Sequence, residues 1–143
     1  MQSIDTSVTI NAPIETVFAA LINVENNPDW IKSVSAVTLL DEPPLQVGSR
    51  FAERGGFMGV NVTDEKQVTH LNRPTTFGFQ GQFLGNSTLY TLKEVGANTT
   101  KLTLTLTGTP PRGTPLVMQR RVLKQAVKRM TADLERLGEQ LQS

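Results

Sequence analysis

The chain has 143 residues, enough for one domain with a real core, and its 38% hydrophobic and 19% charged content excludes a disordered polar tract. With 14 Lys and Arg against 13 Asp and Glu, the net charge of +1 gives no global electrostatic case for a nucleic-acid partner. The absence of cysteine removes disulfides and thiol chemistry, and no apolar run is long enough for stable membrane insertion.

In chain order, Ile4, Thr6, Val8 and Ile10 alternate with Asp5, Ser7 and Thr9, the period of two expected of a strand with one buried face. A strand-like start rather than a signal core predicts a cytoplasmic protein. Pro13 fits the first turn of a helix, Glu15 suits its N-terminal dipole, and Val17, Phe18, Leu21 and Ile22 form its apolar stripe, carrying it to about Glu25. The Asn26-Asn27-Pro28-Asp29 cluster predicts a turn, with a short second helix from Trp30 to Val34. A second strand runs from Val37 to the Pro43-Pro44 break.

Ser49 to Arg54 reads as a strand that leads into a turn or bulge at Gly55-Gly56, and Val62 to Leu71 as a polar strand closed by Asn72-Arg73-Pro74. Thr75 to Phe83 places Phe77, Phe79 and Phe83 on one parity and therefore on one face. Gly85-Asn86 and Gly96-Ala97-Asn98 turn the chain on either side of Ser87 to Val95. Lys101 to Thr107 alternates Leu with Thr, the clearest strand in the chain, and Gly108 to Pro115 breaks it. Leu116, Leu123, Val127, Met130, Leu134, Leu137 and Leu141 then recur at helical spacing, which predicts one long amphipathic helix beginning between Gly113 and Met118. The order β-α-α, six further strands and a helix, with no βαβ alternation, predicts a single α+β domain over residues 1–143 with an antiparallel sheet.

The segment Val8-Thr9-Ile10-Asn11-Ala12-Pro13 leading into Val17-Phe18-Ala19-Ala20-Leu21, the Pro28-Asp29-Trp30 step, Gly48-Ser49-Arg50, Asn72-Arg73-Pro74 and the long last helix together resemble the SRPBCC superfamily. That group contains START-like lipid carriers and the polyketide cyclase/dehydrase family. The resemblance implies a helix-grip fold, a curved antiparallel sheet around the last helix, with a hydrophobic cavity between them. It also implies that Trp30 borders the cavity mouth. The pocket lining expected on this basis is Trp30, Phe51, Phe57, Phe77, Phe79, Phe83 and Tyr90 from the sheet side and Met118, Val122, Leu123, Ala126 and Met130 from the helix, with Tyr90 or Arg50 orienting the ligand.

Catalytic signals are sparse. His70 is the single histidine, so no multi-histidine metal shell can form, and neither a metal nor a cofactor is expected. Asp41-Glu42 and Asp64-Glu65 read as solvent-facing, and Gly55-Gly56 with Gly59 lacks the lysine of a phosphate loop. Arg120, Arg121, Lys124, Lys128 and Arg129 read as a solvated helix face. Three readings follow. The first is a module that binds a small hydrophobic, lipid- or polyketide-like molecule; the second is a cyclase or dehydratase using His70, Glu53 or Tyr90. The third is an interaction domain similar to the Hsp90-activator branch. Oligomeric state is left open.

Overall fold

The computed structural model describes residues 2–57, 59–82, 85–109 and 112–142, so Phe83 lies outside the described residues, as does the side chain of Phe57. The elements are β1 (Gln2–Ile10), α1 (Ile14–Ile22), a 3-10 helix (Val24–Asp29), β2 (Val34–Leu39), β3 (Arg50–Phe57), β4 (Val60–Asn72), β5 (Thr76–Gly81), β6 (Ser87–Gly96), β7 (Thr99–Gly108) and α2 (Leu116–Gln142). All seven strands form one antiparallel sheet in the order β1-β7-β6-β5-β4-β3-β2. This is the expected helix-grip arrangement.

The alternation read from the sequence sets the register of the clearest strands. Ile4, Thr6 and Val8 of β1 lie opposite Leu106, Leu104 and Leu102 of β7, and Leu104 and Leu102 lie opposite Tyr90 and Leu92 of β6. Directly paired residues point to the same side of a sheet, so this run of apolar side chains builds one continuous concave wall. Leu102 is fully buried and Leu104 nearly so. Thr100, also fully buried, donates its hydroxyl to the Ala12 carbonyl at 2.9 Å and ties the corner between β1 and α1 to β7.

Three elements cover this wall. α1 sits over β5, β6 and β7, the 3-10 helix over β2, and α2 over β1. The first helix ends at Ile22, and the short second helix lies earlier than expected, over Val24–Asp29, with Trp30 just beyond its end. Buried Val24 and Asn27 anchor it, which a turn-like composition concealed.

Gly55-Gly56 does not turn the chain. Both residues continue β3, paired with Val62 and Asn61, and the reversal comes at Gly59, whose φ of +82° suits glycine. The reason for Gly55 is close approach: a Cβ there would stand 2.6 Å from the Ser33 carbonyl oxygen. That same oxygen accepts a hydrogen bond from the Gly56 amide at 2.9 Å.

α2 is continuous over 27 residues, about 40 Å at 1.5 Å per residue. Its C-terminal half is bound into the fold. Met130, Leu134 and Leu137 are buried, the Thr131 and Thr6 hydroxyls lie 2.6 Å apart, and Arg136 donates to the Trp30 carbonyl at 2.6 Å. Gln140 and Gln142 reach the Asp29 carbonyl and the Asn11 amide. Its N-terminal half exposes Leu116, Val117, Met118 and Val122. Among the described residues no helix is long and apolar enough to cross a membrane.

Candidate functional site

Strand parity assembles an aromatic wall on the concave face. Phe77 and Phe79 are two residues apart on β5, and Tyr90 lies opposite Phe77 on β6. The Phe77 and Tyr90 rings stack at 6.2 Å with an interplanar angle of 10°, Phe79 stands 5.6 Å from Phe77, and Phe51 of β3 meets Phe79 edge-on at 5.3 Å. Trp30 approaches from the end of the 3-10 helix, its ring 6.3 Å from Tyr90. All five rings are buried, and such offset and edge-on pairs add to the stabilisation from burial alone.

Polar groups are set into this wall. Glu53 follows Phe51 by two residues and so shares its face. Burial raises the Glu53 carboxyl above the usual carboxylate range, an effect partly opposed by the Lys66 charge and by a hydrogen bond from the Asn27 side chain. Opposite Glu53 on β4 is Asp64, which pairs with Lys66 at 3.1 Å; both side chains are at most 15% exposed. Asp64 is therefore drawn inward, not solvent-facing as its sequence context indicated, whereas Glu65 meets Arg50 on the outside. A side chain at Gly81 would collide with both Asp64 and Lys66, so this glycine makes room for the pair.

Tyr90 is pushed well above the ordinary phenol range, first by burial and then by the negative charges of Glu53 and Asp133. At neutral pH its hydroxyl is a hydrogen-bond donor and not a base. Two buried polar atoms, Asn27 Oδ1 and Trp30 Nε1, have no hydrogen-bond partner among the described residues. In native interiors such atoms are few, and each calls for an explanation.

Of the residues expected to line a pocket, Trp30, Phe51, Phe77, Phe79, Tyr90 and Met130 are buried, and all but Met130 belong to the ring cluster. Ala126 and Leu123 are half-buried on α2, and Ala126 packs against the core. Met118 and Val122 are 55% and 59% exposed, since they lie about 120° and about 80° round the helix from Met130 and so off its buried stripe. Trp30 is 3% exposed, so it sits inside the fold and not at a mouth with one edge in water. Arg50 lies outside, its amide and guanidinium both donating to Asp41. His70 is exposed and paired with the Thr69 hydroxyl, on no shared site with the rings.

Sequence reasoning passed over Asn27 and Lys66, and it named Asp64 only as a solvent-facing residue. Asn27 lay hidden in a turn signature. The parity that joins Glu53 to Phe51, extended across the β3–β4 register, would have found the other two.

A separate cleft of ≈380 Å³ opens between α1, the segment Pro43-Pro44-Leu45 and the end of β4, lined by Phe18, Ile22, Leu39, Leu71 and Arg73 among others. None of the ring cluster or its polar groups borders it. Arg73 on its rim is engaged by Glu15 at 3.1 Å and lies over the Phe18 ring. The buried polar set, not this cleft, therefore marks the candidate site.

Known proteins share this fold. No curated protein sequence matches the chain. An aromatase/cyclase from Streptomyces sp. R1128, Zhui, superposes with a TM-score of 0.77 at 18% identity, covering 98% of this chain and 93% of that one. A START superfamily protein from Mycobacterium smegmatis gives 0.83 at 16% identity over 97% and 98% of the two chains. A major latex-like protein from Panax ginseng gives 0.72 at 9% over 99% and 98%. At these identities the likeness is one of fold. The sequence profile described as polyketide cyclase / dehydrase and lipid transport matches residues 1–142, and the chain belongs to that family.

Proposed function

We propose that this chain binds a small, largely apolar molecule, aromatic or polyketide-like and bearing oxygen, on the concave face between the sheet and α2. One observation carries the reading: Asn27 Oδ1 and Trp30 Nε1 are buried with no partner among the described residues, beside an aromatic wall that also contains the Glu53 carboxyl and the Tyr90 phenol. An unpaired buried donor or acceptor costs about 1–3 kcal/mol, and a ligand hydroxyl or carbonyl offsets that cost. Phe51, Phe77, Phe79 and Met130 offer apolar contact, with Leu123 and Ala126 at the edge. The names of the structurally similar proteins, an aromatase/cyclase and a START superfamily member, support such a ligand class.

A second reading, catalysis of dehydration or cyclisation, is favoured by one specific feature. A carboxyl with a raised pKa next to a neutral phenol is a proton donor pair in a low-dielectric setting. In that reading protonated Glu53 gives its proton to the departing hydroxyl, which leaves as water, and the resulting carboxylate takes the adjacent C–H proton as the double bond forms, while Tyr90 donates to the carbonyl oxygen.

The test is a fluorescence titration of Trp30, the single tryptophan, with flavonoids, polyhydroxylated naphthalenes and fatty acids. Aromatic ligands are expected to give saturable changes, with affinity falling roughly fivefold to tenfold in Asn27→Ala. A ligand oxygen that accepts a hydrogen bond from protonated Glu53 should bind more tightly as pH falls through the titration of Glu53, a dependence that Glu53→Gln removes. Stability has its own sign, set by the raised pKa: the folded state favours protonated Glu53, so its stabilisation is full at low pH and lost as pH rises through the folded value. Glu53→Gln should therefore melt above the wild type at neutral pH and match it in acid. Calorimetry showing no binding across the panel overturns the reading, and mass spectrometry of a ligand converted on incubation selects the enzyme over the carrier.

A further inference from the structure

The exposed side of α2 carries a pattern that ligand binding in the interior does not use. Among the described residues eight large apolar side chains are exposed, and four of them, Leu116, Val117, Met118 and Val122, fall within seven consecutive positions. Single exposed apolar residues are ordinary, but a concentration on one element points to a contact surface. The same stretch is cationic. No acidic residue occurs between Glu94 and Asp133, while Lys101, Arg112, Arg120, Arg121, Lys124, Lys128 and Arg129 do.

At 3.6 residues per turn, Arg121, Lys124 and Lys128 fall with Val117 and Met118 on the arc opposite Met130, Leu134 and Leu137, and Arg120, Val122 and Arg129 flank that arc. All five cations are exposed, and among the described residues none of them forms an ion pair. The other half of the helix differs: Asp133, Glu135 and Glu139 restore acid to the sequence, and Asp133 and Arg136 pair at 2.9 Å.

We infer that the N-terminal half of α2 docks reversibly on an anionic lipid surface, with Val117, Met118 and Val122 entering the headgroup boundary and the five cations meeting lipid phosphates and carboxylates. The charge decides between occupants. A second copy would bring the same five cations against themselves, and a nucleic acid would match the charge but leave three aliphatic side chains in water. An anionic bilayer satisfies both features. Because no helix among the described residues could span a bilayer, the association is peripheral and salt-sensitive.

The experiment is co-sedimentation of the full chain with vesicles of phosphatidylcholine alone and of phosphatidylcholine with about 30 mol% phosphatidylserine. The expected result is partitioning onto the anionic vesicles only, lost when salt is raised from about 0.1 M to about 0.5 M. Arg121→Glu with Lys124→Glu should weaken partitioning tenfold or more, from roughly fivefold per charge removed and a further loss on reversal. Met118→Ser with Val122→Ser should weaken it roughly tenfold at unchanged charge. These side chains are exposed, so both variants should keep the wild-type melting temperature; Arg121→Gln with Lys124→Gln provides a milder charge test. Equal binding to neutral vesicles, wild-type binding by the Met118/Val122 variant, or a self-association abolished by that variant in the absence of vesicle binding would each overturn the inference. The interior variant Asn27→Ala should bind vesicles as the wild type does, which separates this surface from the proposed ligand site.

Discussion

The two halves of α2 are one continuous helix with two different relations to the rest of the molecule. From Met130 onward, apolar side chains are buried against β1 and polar ones are tied by hydrogen bonds to Thr6, the Trp30 and Asp29 carbonyls and the Asn11 amide. From Leu116 to Arg129, Leu116, Val117, Met118 and Val122 are exposed beside cations that form no ion pair among the described residues, and Leu123, Ala126 and Val127 are half-buried. Hydrogen bonding within the helix is the same in both, so the difference is tertiary: Thr6, Ile10 and the Asp29 and Trp30 carbonyls all meet the C-terminal half. A segment with few buried contacts opens or shifts at lower free energy than one with many. The anchored half therefore fixes the site's floor, and the exposed half is the part available to a ligand or a surface.

Three substitutions probe this contrast. Leu134→Ala removes a fully buried side chain from the anchored half and should cost about 2–5 kcal/mol in urea unfolding, with an unchanged m-value. A smaller loss would mean that the anchored half collapses around the cavity. Arg136→Ala removes the donor to the Trp30 carbonyl and to Asp133, and should cost about 1–2 kcal/mol while shifting Trp30 emission, because the indole loses the tie that holds its backbone. Unchanged emission would separate the helix from the aromatic wall. Val122→Ala, on the exposed half, should change unfolding free energy by no more than about 0.5 kcal/mol. A cost approaching that of Leu134→Ala would show that Val122 is packed in solution and would remove the contrast.

Much of the architecture could be read from residue patterns. The Leu/Thr alternation of β7, the alternation of β1 and the helical stripe ending at Leu141 predicted strands and a helix that the structure contains. They did so because period and burial are local consequences of geometry. The aromatic wall was legible to the extent that it follows strand parity, which placed Phe77 and Phe79 together. Parity fails between elements. Nothing in the order of residues said that Asn27 would donate to Glu53, that Trp30 would be sealed inside, or that Arg50 would turn outward to Asp41. Of the turn or bulge read at Gly55-Gly56, the β2–β3 register does shift beside Gly55, but the turn fails for the same reason, since a glycine needed for close approach to a distant carbonyl looks like one needed for a turn.

By itself, then, the amino-acid order determined most of the element sequence, the α+β class and the faces of its clearest strands and last helix, because those depend on neighbours a few residues apart. Which apolar face is covered was decided only by the tertiary structure. Met118 and Met130 belong to the same helix and were read alike from spacing, yet one is 55% exposed and the other 7%. Burial depends on which side of the helix a residue occupies and on whether the sheet reaches beneath its turn, and that reach is set by long-range pairing of β1 with β7.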